Sequence, residues 1–285
     1  MTFGINTFLF RSPFTTSDIS LFPKFKGWNF DSVEIAIENA SDIDANVVKK
    51  ALDDNNLMCG SVCAAMGPGR DLRGSKEEQQ TAMEYLRSVI DLLPVLGCSI
   101  LAGPLYSSVG RADAVDEVDY KEQWKTVKSN LQALCEYAEI AGVTLAIEPL
   151  NRYETDFINT AAQGLQLIED VDSSALLLHL DTYHMNIEEK DSAQAILAAG
   201  KKLGHFHACG SDRGTPGGDH INWTEIVAAL HEIEYNGGVV IESFTKDVKV
   251  IAKAASIWRQ FEKSQESIAV EGVSFLREKM GAKIT

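Results

Sequence analysis

Short apolar runs alternate with longer stretches of helical period from one end of the chain to the other. The runs Phe3–Leu9, Ser32–Ile37, Met58–Ala65, Ser99–Leu105, Val143–Pro149, Leu176–Asp181, Leu203–Ala208 and Gly238–Ser243 read as eight strands. Between them, Ala45–Asn55, Glu77–Leu93, Tyr120–Ile140 and Trp223–Glu234 carry apolar residues at three- and four-residue spacing, as helices with one buried face do. Strand, helix, strand, repeated, predicts a parallel sheet. Gly97, Gly142, Gly204 and Gly237 each stand between a helical stretch and the next strand, where a left-handed C-cap favours glycine. Ser75, followed by Glu77 and Glu78, reads as an N-cap. No Pro- or Ser-rich linker divides the chain, so residues 1–285 are expected to form one domain with a helical C-terminal extension. The Gly/Pro-rich piece Gly214–Gly218 reads as a loop after the seventh strand.

Four strand ends carry the chemistry. Glu148, Asp181, His207 and Glu242 close the runs AIEP, LHLD, HFHA and VVIE. Their separations of 33, 26 and 35 residues (181−148, 207−181, 242−207) match the roughly 30-residue strand-plus-helix unit of an eight-fold α/β barrel, whose functional groups gather at strand C-terminal ends. An open doubly wound sheet binds where strand order reverses, so four consecutive strands would not converge there; around a closed mouth they do. The expected fold is therefore an α/β (β/α)8 TIM barrel. No GxGxxG follows the first strand and no GxxxxGK[ST] occurs, which removes the usual nucleotide-binding signals.

Strand alternation places the four residues on one face. Ala146 and Glu148 share a side, as do His179 and Asp181, His205 and His207, and Val240 and Glu242. Any one of the four alone is more simply a surface acid or a satisfied core histidine. Together, three carboxylates and an imidazole form a mostly oxygen site suited to a six-coordinate Mn²⁺, Mg²⁺ or Co²⁺ rather than to thiolate-rich zinc. His179 and His205, one layer lower, are expected to be hydrogen-bonded core residues. Phe8, Tyr106 and Phe244 lie near strand ends and are candidates for an apolar wall.

Composition narrows the partners. With 41 acidic against 26 basic residues and a net charge of −15, the chain is ill suited to neutralising a phosphate backbone, so nucleic acid is not expected. No run approaches the roughly 18 apolar residues of a membrane span, and the first ten residues, MTFGINTFLF, lack the features of a signal peptide. Cysteines at 59, 63, 98, 135 and 209 form no CxxC pair and read as reduced, buried thiols. A cytoplasmic location follows as the expectation.

The stretches AIEPLNRYE, LHLDTYHMNIEE, HFHACGSDR and VVIESF, with LAGPLYSSVG after the fourth strand, resemble the D-tagatose 3-epimerase family. That family, which includes D-psicose (allulose) and L-ribulose 3-epimerases, lies within the xylose isomerase-like barrel superfamily. The resemblance spans nearly the whole chain. It implies a metal-dependent epimerase of free ketoses, holding Mn²⁺ or a similar ion through Glu148, Asp181, His207 and Glu242. It further implies that Glu148 and Glu242 act as the acid/base pair, while Glu154, His184 and Arg213 grip the substrate. A homodimer or homotetramer is also implied, with Val248–Ile284 as a candidate contact region. The stretch between His207 and Arg213 departs from the family pattern: Gly-Glu-x-Asn-Arg is common there, and this chain has Cys-Gly-Ser-Asp-Arg. Related readings are a sugar isomerase or polyol dehydratase using the same chemistry, or a barrel that binds sugar without turnover.

Overall fold

The structure is a computed structural model that describes residues 1–281. Eight strands, β1 Thr2–Asn6, β2 Ser32–Ile37, β3 Met58–Ala64, β4 Ile100–Gly103, β5 Thr144–Ile147, β6 Leu176–Asp181, β7 Leu203–Ala208 and β8 Gly238–Ile241, follow one another around a closed barrel. Every neighbouring pair is parallel, and β8 closes onto β1 through Thr2–Ile5 and Gly238–Ile241. Outward-facing strand residues such as Ile5, Ile35, Leu145, Leu178 and Ile241 pack under the helices and are fully buried or nearly so. Each such side chain contributes roughly 1.5–3 kcal/mol of burial free energy. The inner face is different: Asn6, Glu34 and Ser61 sit side by side across β1, β2 and β3, and His179 and His205 pair across β6 and β7.

Helix punctuation follows the local chemistry. Ser75 caps the helix Lys76–Ile90 in a reciprocal box with Glu78. Gly97 and Gly142 end helices at φ of +70° and +69°, where a side chain would be strained. Gly204 and Gly237 do not. Gly204 lies inside β7, where a Cβ would meet the Leu177 side chain at 2.7 Å; Gly237 faces the Tyr235 ring, with Oη at 2.5 Å from a Cβ placed there. The turns in question fall instead on Gly200 and on Glu234 at φ +57°.

Other boundaries move for identifiable reasons. The first strand stops at Asn6 rather than Leu9, because the Asn6 side chain accepts from the Phe8 N–H and opens a short 3-10 turn, Thr7–Leu9. The fourth, fifth and eighth strands are shorter than expected, which leaves Glu148 and Glu242 one residue beyond β5 and β8. The expected helices appear as Ala45–Asp54, Lys76–Ile90 with Leu93–Leu96, Glu117–Ala141 and Trp223–Glu232, joined by Phe22–Gly27, Ala161–Val171, Thr182–Glu188 and Ser192–Ala199. The final helical stretch is two helices, Lys249–Ala254 and Gln265–Lys279. Residues 282–284 of the expected contact region lie outside the described residues. Gln265–Lys279 packs on β1 and β8, and Arg277 Nη2 reaches Asp31 Oδ1 at 2.7 Å. All five cysteines are buried free thiols. Among the described residues, no helix is long and apolar enough to cross a membrane.

Candidate active site

Four strands deliver four side chains to one point. Asp181 is the last residue of β6 and also caps the helix Thr182–Glu188, accepting the Tyr183 N–H at 2.6 Å. His207 lies beside it in register on β7, and Val240 on β8 is the next neighbour round the barrel. Glu148 and Glu242 follow directly from β5 and β8. One ligand atom from each of the four residues lies within 4.8 Å of the others, and all four residues are buried. His207 Nδ1 stands 3.4 Å from Glu242 Oε2 and 3.8 Å from Asp181 Oδ2.

The donor set fits a divalent ion. Buried polar atoms are normally hydrogen-bonded, yet Glu148 Oε1 and His207 Nδ1 have no such partner and both face the cluster. Three carboxylates and one imidazole nitrogen are the ligand chemistry of Mn²⁺, Mg²⁺ or Co²⁺.

Arg213 enters the cluster from the loop after β7. Its Nη1 donates to Asp181 Oδ2 at 2.8 Å and to Glu242 Oε2 at 3.1 Å. The guanidinium is held over the rings of Tyr183 and Phe244, at 4.2 and 4.7 Å from their centroids. Its backbone is left-handed, φ +66°, a strained conformation for a non-glycine residue. Two backbone bonds hold it there: the Arg213 N–H donates to Gly210 O, and its carbonyl accepts from the Phe244 N–H. The Cys-Gly-Ser-Asp-Arg departure is accommodated, because Cys209 exchanges two bonds with the Thr182 hydroxyl and Asp212 Oδ1 accepts from the Gly214 N–H.

His184 and Glu154 complete the rim. His184 Nδ1 accepts from the Asn151 N–H at 3.0 Å, which turns Nε2 toward the cluster, 3.7 Å from Glu148 Oε1 and 2.9 Å from Arg213 Nη2. Glu154 Oε1 accepts from Asn151 Nδ2 at 2.8 Å. These residues, with Glu148 and Glu242, line a cavity of about 400 Å³ whose other walls include Phe8, Met66, Leu150 and Phe244 and the helix residues Val250 and Ile251. Tyr106 is not part of that wall: it is fully buried beneath the strand end, donating its hydroxyl to Glu148 O at 2.8 Å.

Burial and neighbouring charge set the protonation of these groups. Burial, followed by the repulsion of Glu242, pushes the Glu148 carboxyl well above the usual carboxylate range. Burial acts the same way on Asp181, but Arg213 and His207 outweigh it and hold that carboxyl below the usual range. Burial, then the Arg213 charge, lowers the His184 imidazole.

Two inward residues escape a reading based on strand ends. Glu34, fully buried in the middle of β2, lies 2.7 Å from His207 Nε2 and 2.6 Å from His205 Nε2. Asn6 Nδ2 donates both to Glu34 Oε1 and to Glu242 Oε1. The available signal was one acid between the apolar residues Val33 and Ile35 of the run SVEIAI, at an inward position. His179 also differs from expectation. Neither of its ring nitrogens has a hydrogen-bond partner; it packs edge-on against His207 and His205, with centroids 4.1 and 4.8 Å away.

A closed eight-stranded parallel barrel with a buried acid and histidine cluster at its C-terminal mouth defines the class, and the chain belongs to the xylose isomerase-like TIM barrel family, which matches residues 22–279. The chain is 30% identical over 258 residues to the ketose 3-epimerase of Arthrobacter globiformis, covering 89% of this chain and 87% of that one. It is 32% identical over 276 residues to the L-ribulose 3-epimerase of Mesorhizobium japonicum, covering 96% and 92%. The crystal structure of D-allulose 3-epimerase from Methylomonas sp. in complex with D-allulose superposes with a TM-score of 0.91 at 27% identity, covering 98% of this chain and 97% of that one. The protein is accordingly an enzyme, an isomerase of the ketose 3-epimerase class.

Proposed function

We propose that the enzyme inverts C3 of a free ketose of the D-tagatose, D-fructose, D-psicose or L-ribulose type, with a divalent metal ion, most suitably Mn²⁺, and with Glu148 and Glu242 as its acid/base pair. The observation that carries the reading is the convergence of these two carboxylates, from strands three apart around the barrel, at one cavity beside Asp181 and His207. A ligand-binding barrel that only held sugar would need no such pair.

Inversion next to a ketone requires removing a proton, holding an enediolate, and returning a proton from the opposite face. Glu242, oriented by Asn6 and Arg213, would take or give a proton on one side, and Glu148 on the other. Glu148, Asp181, His207 and Glu242 would hold the ion, which when bound supplies Lewis-acid stabilisation of the charge developing on the sugar oxygens. Arg213 adds fixed donors to the same charge. His184 and Glu154 orient hydroxyls at the rim, and the apolar walls keep water from the exposed carbanion equivalent.

The rest of the reading is less local. One barrel domain would act in the cytoplasm, a setting that suits five free thiols. It would act as a homodimer or homotetramer, and Val250 and Trp258, both exposed in the C-terminal region, support contacts there.

The test is a panel of free ketoses offered to chelator-treated protein in D₂O, with Mn²⁺, Co²⁺ or Mg²⁺ restored. Deuterium should enter at C3 with formation of the C3 epimer. Glu148→Gln and Glu242→Gln should each lower kcat by about 10²–10⁴-fold. Label confined to C1 would mean an aldose–ketose isomerase instead, and no rescue by any of the three ions would overturn the metal assignment.

A further inference from the structure

We propose that Glu34 is a positioning residue for the metal centre: it grips the Nε2 edge of His207, so that Nδ1 is the nitrogen offered to the ion. This rests on the reading of the four-residue cluster as a divalent-metal site.

The two oxygens of Glu34 have four close partners, none of them lysine or arginine. Oε1 lies 2.7 Å from His207 Nε2 and accepts from Asn6 Nδ2 at 2.7 Å. Oε2 accepts from the Ser61 hydroxyl at 2.5 Å and lies 2.6 Å from His205 Nε2. A neutral imidazole has one donor and one acceptor nitrogen. With Nε2–H donating to the carboxylate, the lone pair falls on Nδ1, the atom that faces Asp181 and Glu242 without a hydrogen bond of its own. A carboxylate behind a ligating imidazole fixes its tautomer and ring angle and raises its basicity.

The grip extends to a second ligand. Asn6 Nδ2 joins Glu34 Oε1 to Glu242 Oε1, at 2.7 and 3.1 Å, so one carboxylate orients His207 directly and Glu242 through an amide. Asn6 itself is fixed, since its Oδ1 accepts from the Phe8 N–H at 2.8 Å. A core staple would not call for an anion here. Burying a carboxylate away from any lysine or arginine is costly, and a packed apolar residue would serve stability as well.

The experiment is calorimetric titration of Mn²⁺ into chelator-treated wild type, Glu34→Gln and Glu34→Asp, with each metal-free melting temperature measured alongside. Long-range ¹H–¹⁵N spectra of the Mg²⁺-loaded wild type identify which His207 nitrogen carries the proton. The expected result is a Kd raised by about 10- to 100-fold in Glu34→Gln, with Nε2 protonated in the wild type. A purely structural role would lower the melting temperature and leave Kd unchanged. An unchanged Kd in a folded Glu34→Gln, or an Nδ1-protonated His207, overturns the proposal. If Glu34→Gln does not fold, Glu34→Asp and the wild-type spectrum decide. Failure of the wild type to bind any ion sinks the metal-site reading and this inference together, whereas tight wild-type binding that survives Glu34→Gln sinks only the inference.

Discussion

Arg73 and Asp156 show how an ion pair can make part of the fold's stability depend on pH. The Arg73 guanidinium is wholly buried, and its Nη1 meets Asp156 Oδ1 at 2.5 Å while Asp156 Oδ2 accepts from the Ala114 N–H. Burial opposes the Asp156 charge, but Arg73 more than offsets it and holds the carboxyl below its usual range. A carboxyl whose folded pKa is depressed adds stability above its unfolded pKa of about 3.9 and loses it as pH falls through the folded value. Asp156→Asn should therefore cost about 1–2 kcal/mol near neutral pH and much less near pH 3. Denaturant melts across that range decide it; a loss as large at pH 3 as at pH 7 would contradict the sign. At this scale the sequence is readable only in part. Glu148, Asp181, His207 and Glu242 announce themselves because an acid or histidine at a strand end is a local pattern. Tyr106 misled, because an aromatic near a strand end looks the same whether it lines a cavity or props a backbone carbonyl from beneath.

The helix Ala161–Val171 illustrates the next scale. Its Gly164 faces the barrel so closely that an added Cβ would lie 2.6 Å from Leu178 Cδ1 and 3.3 Å from Pro149 Cγ. Pro149 follows Glu148 in the chain, so the helix seat and the carboxylate are mechanically joined. Gly164→Ala gains up to about 1 kcal/mol in helix propensity and loses about 1–3 kcal/mol to overpacking. The expected outcome is a lower melting temperature together with a reduced kcat; a variant as stable and active as wild type would show that the helix shifts without disturbing β5. A Thr160–Gln163 capping box marks the start of this helix, but its charges are confined to Glu169 and Asp170 in the last turn, whereas those of Lys76–Ile90 run along its length. Glycines were ambiguous for a related reason. A sequence does not distinguish one needed for positive φ, as at Gly97, from one needed for space, as at Gly204.

Across the whole molecule, the four cluster residues come from β5 to β8, half of the barrel's circumference. An ion held by all four would tie those strands together and bind only the folded state. At a free ion concentration 100-fold above Kd, such binding adds about 2.7 kcal/mol. Mn²⁺ should thus raise the melting temperature of chelator-treated protein by several degrees, increasing with the logarithm of ion concentration and reversing with chelator. A melting curve indifferent to Mn²⁺, Co²⁺ and Mg²⁺ would count against the site.

Periodicities of two and of three to four residues are properties of neighbouring positions, so the eight strands, the main helices, the barrel class and the strand-end cluster were written in the sequence by itself. Glu34 and Asn6 were not. Their roles depend on β8 pairing with β1 and on β2 facing β7 across the interior, contacts between positions 173 and 236 residues apart (Glu34 to His207, Asn6 to Glu242). Which nitrogen of His207 faces the cluster, which glycines need space and which aromatics reach the cavity were decided only by closure of the barrel, because closure alone brings those distant strands together.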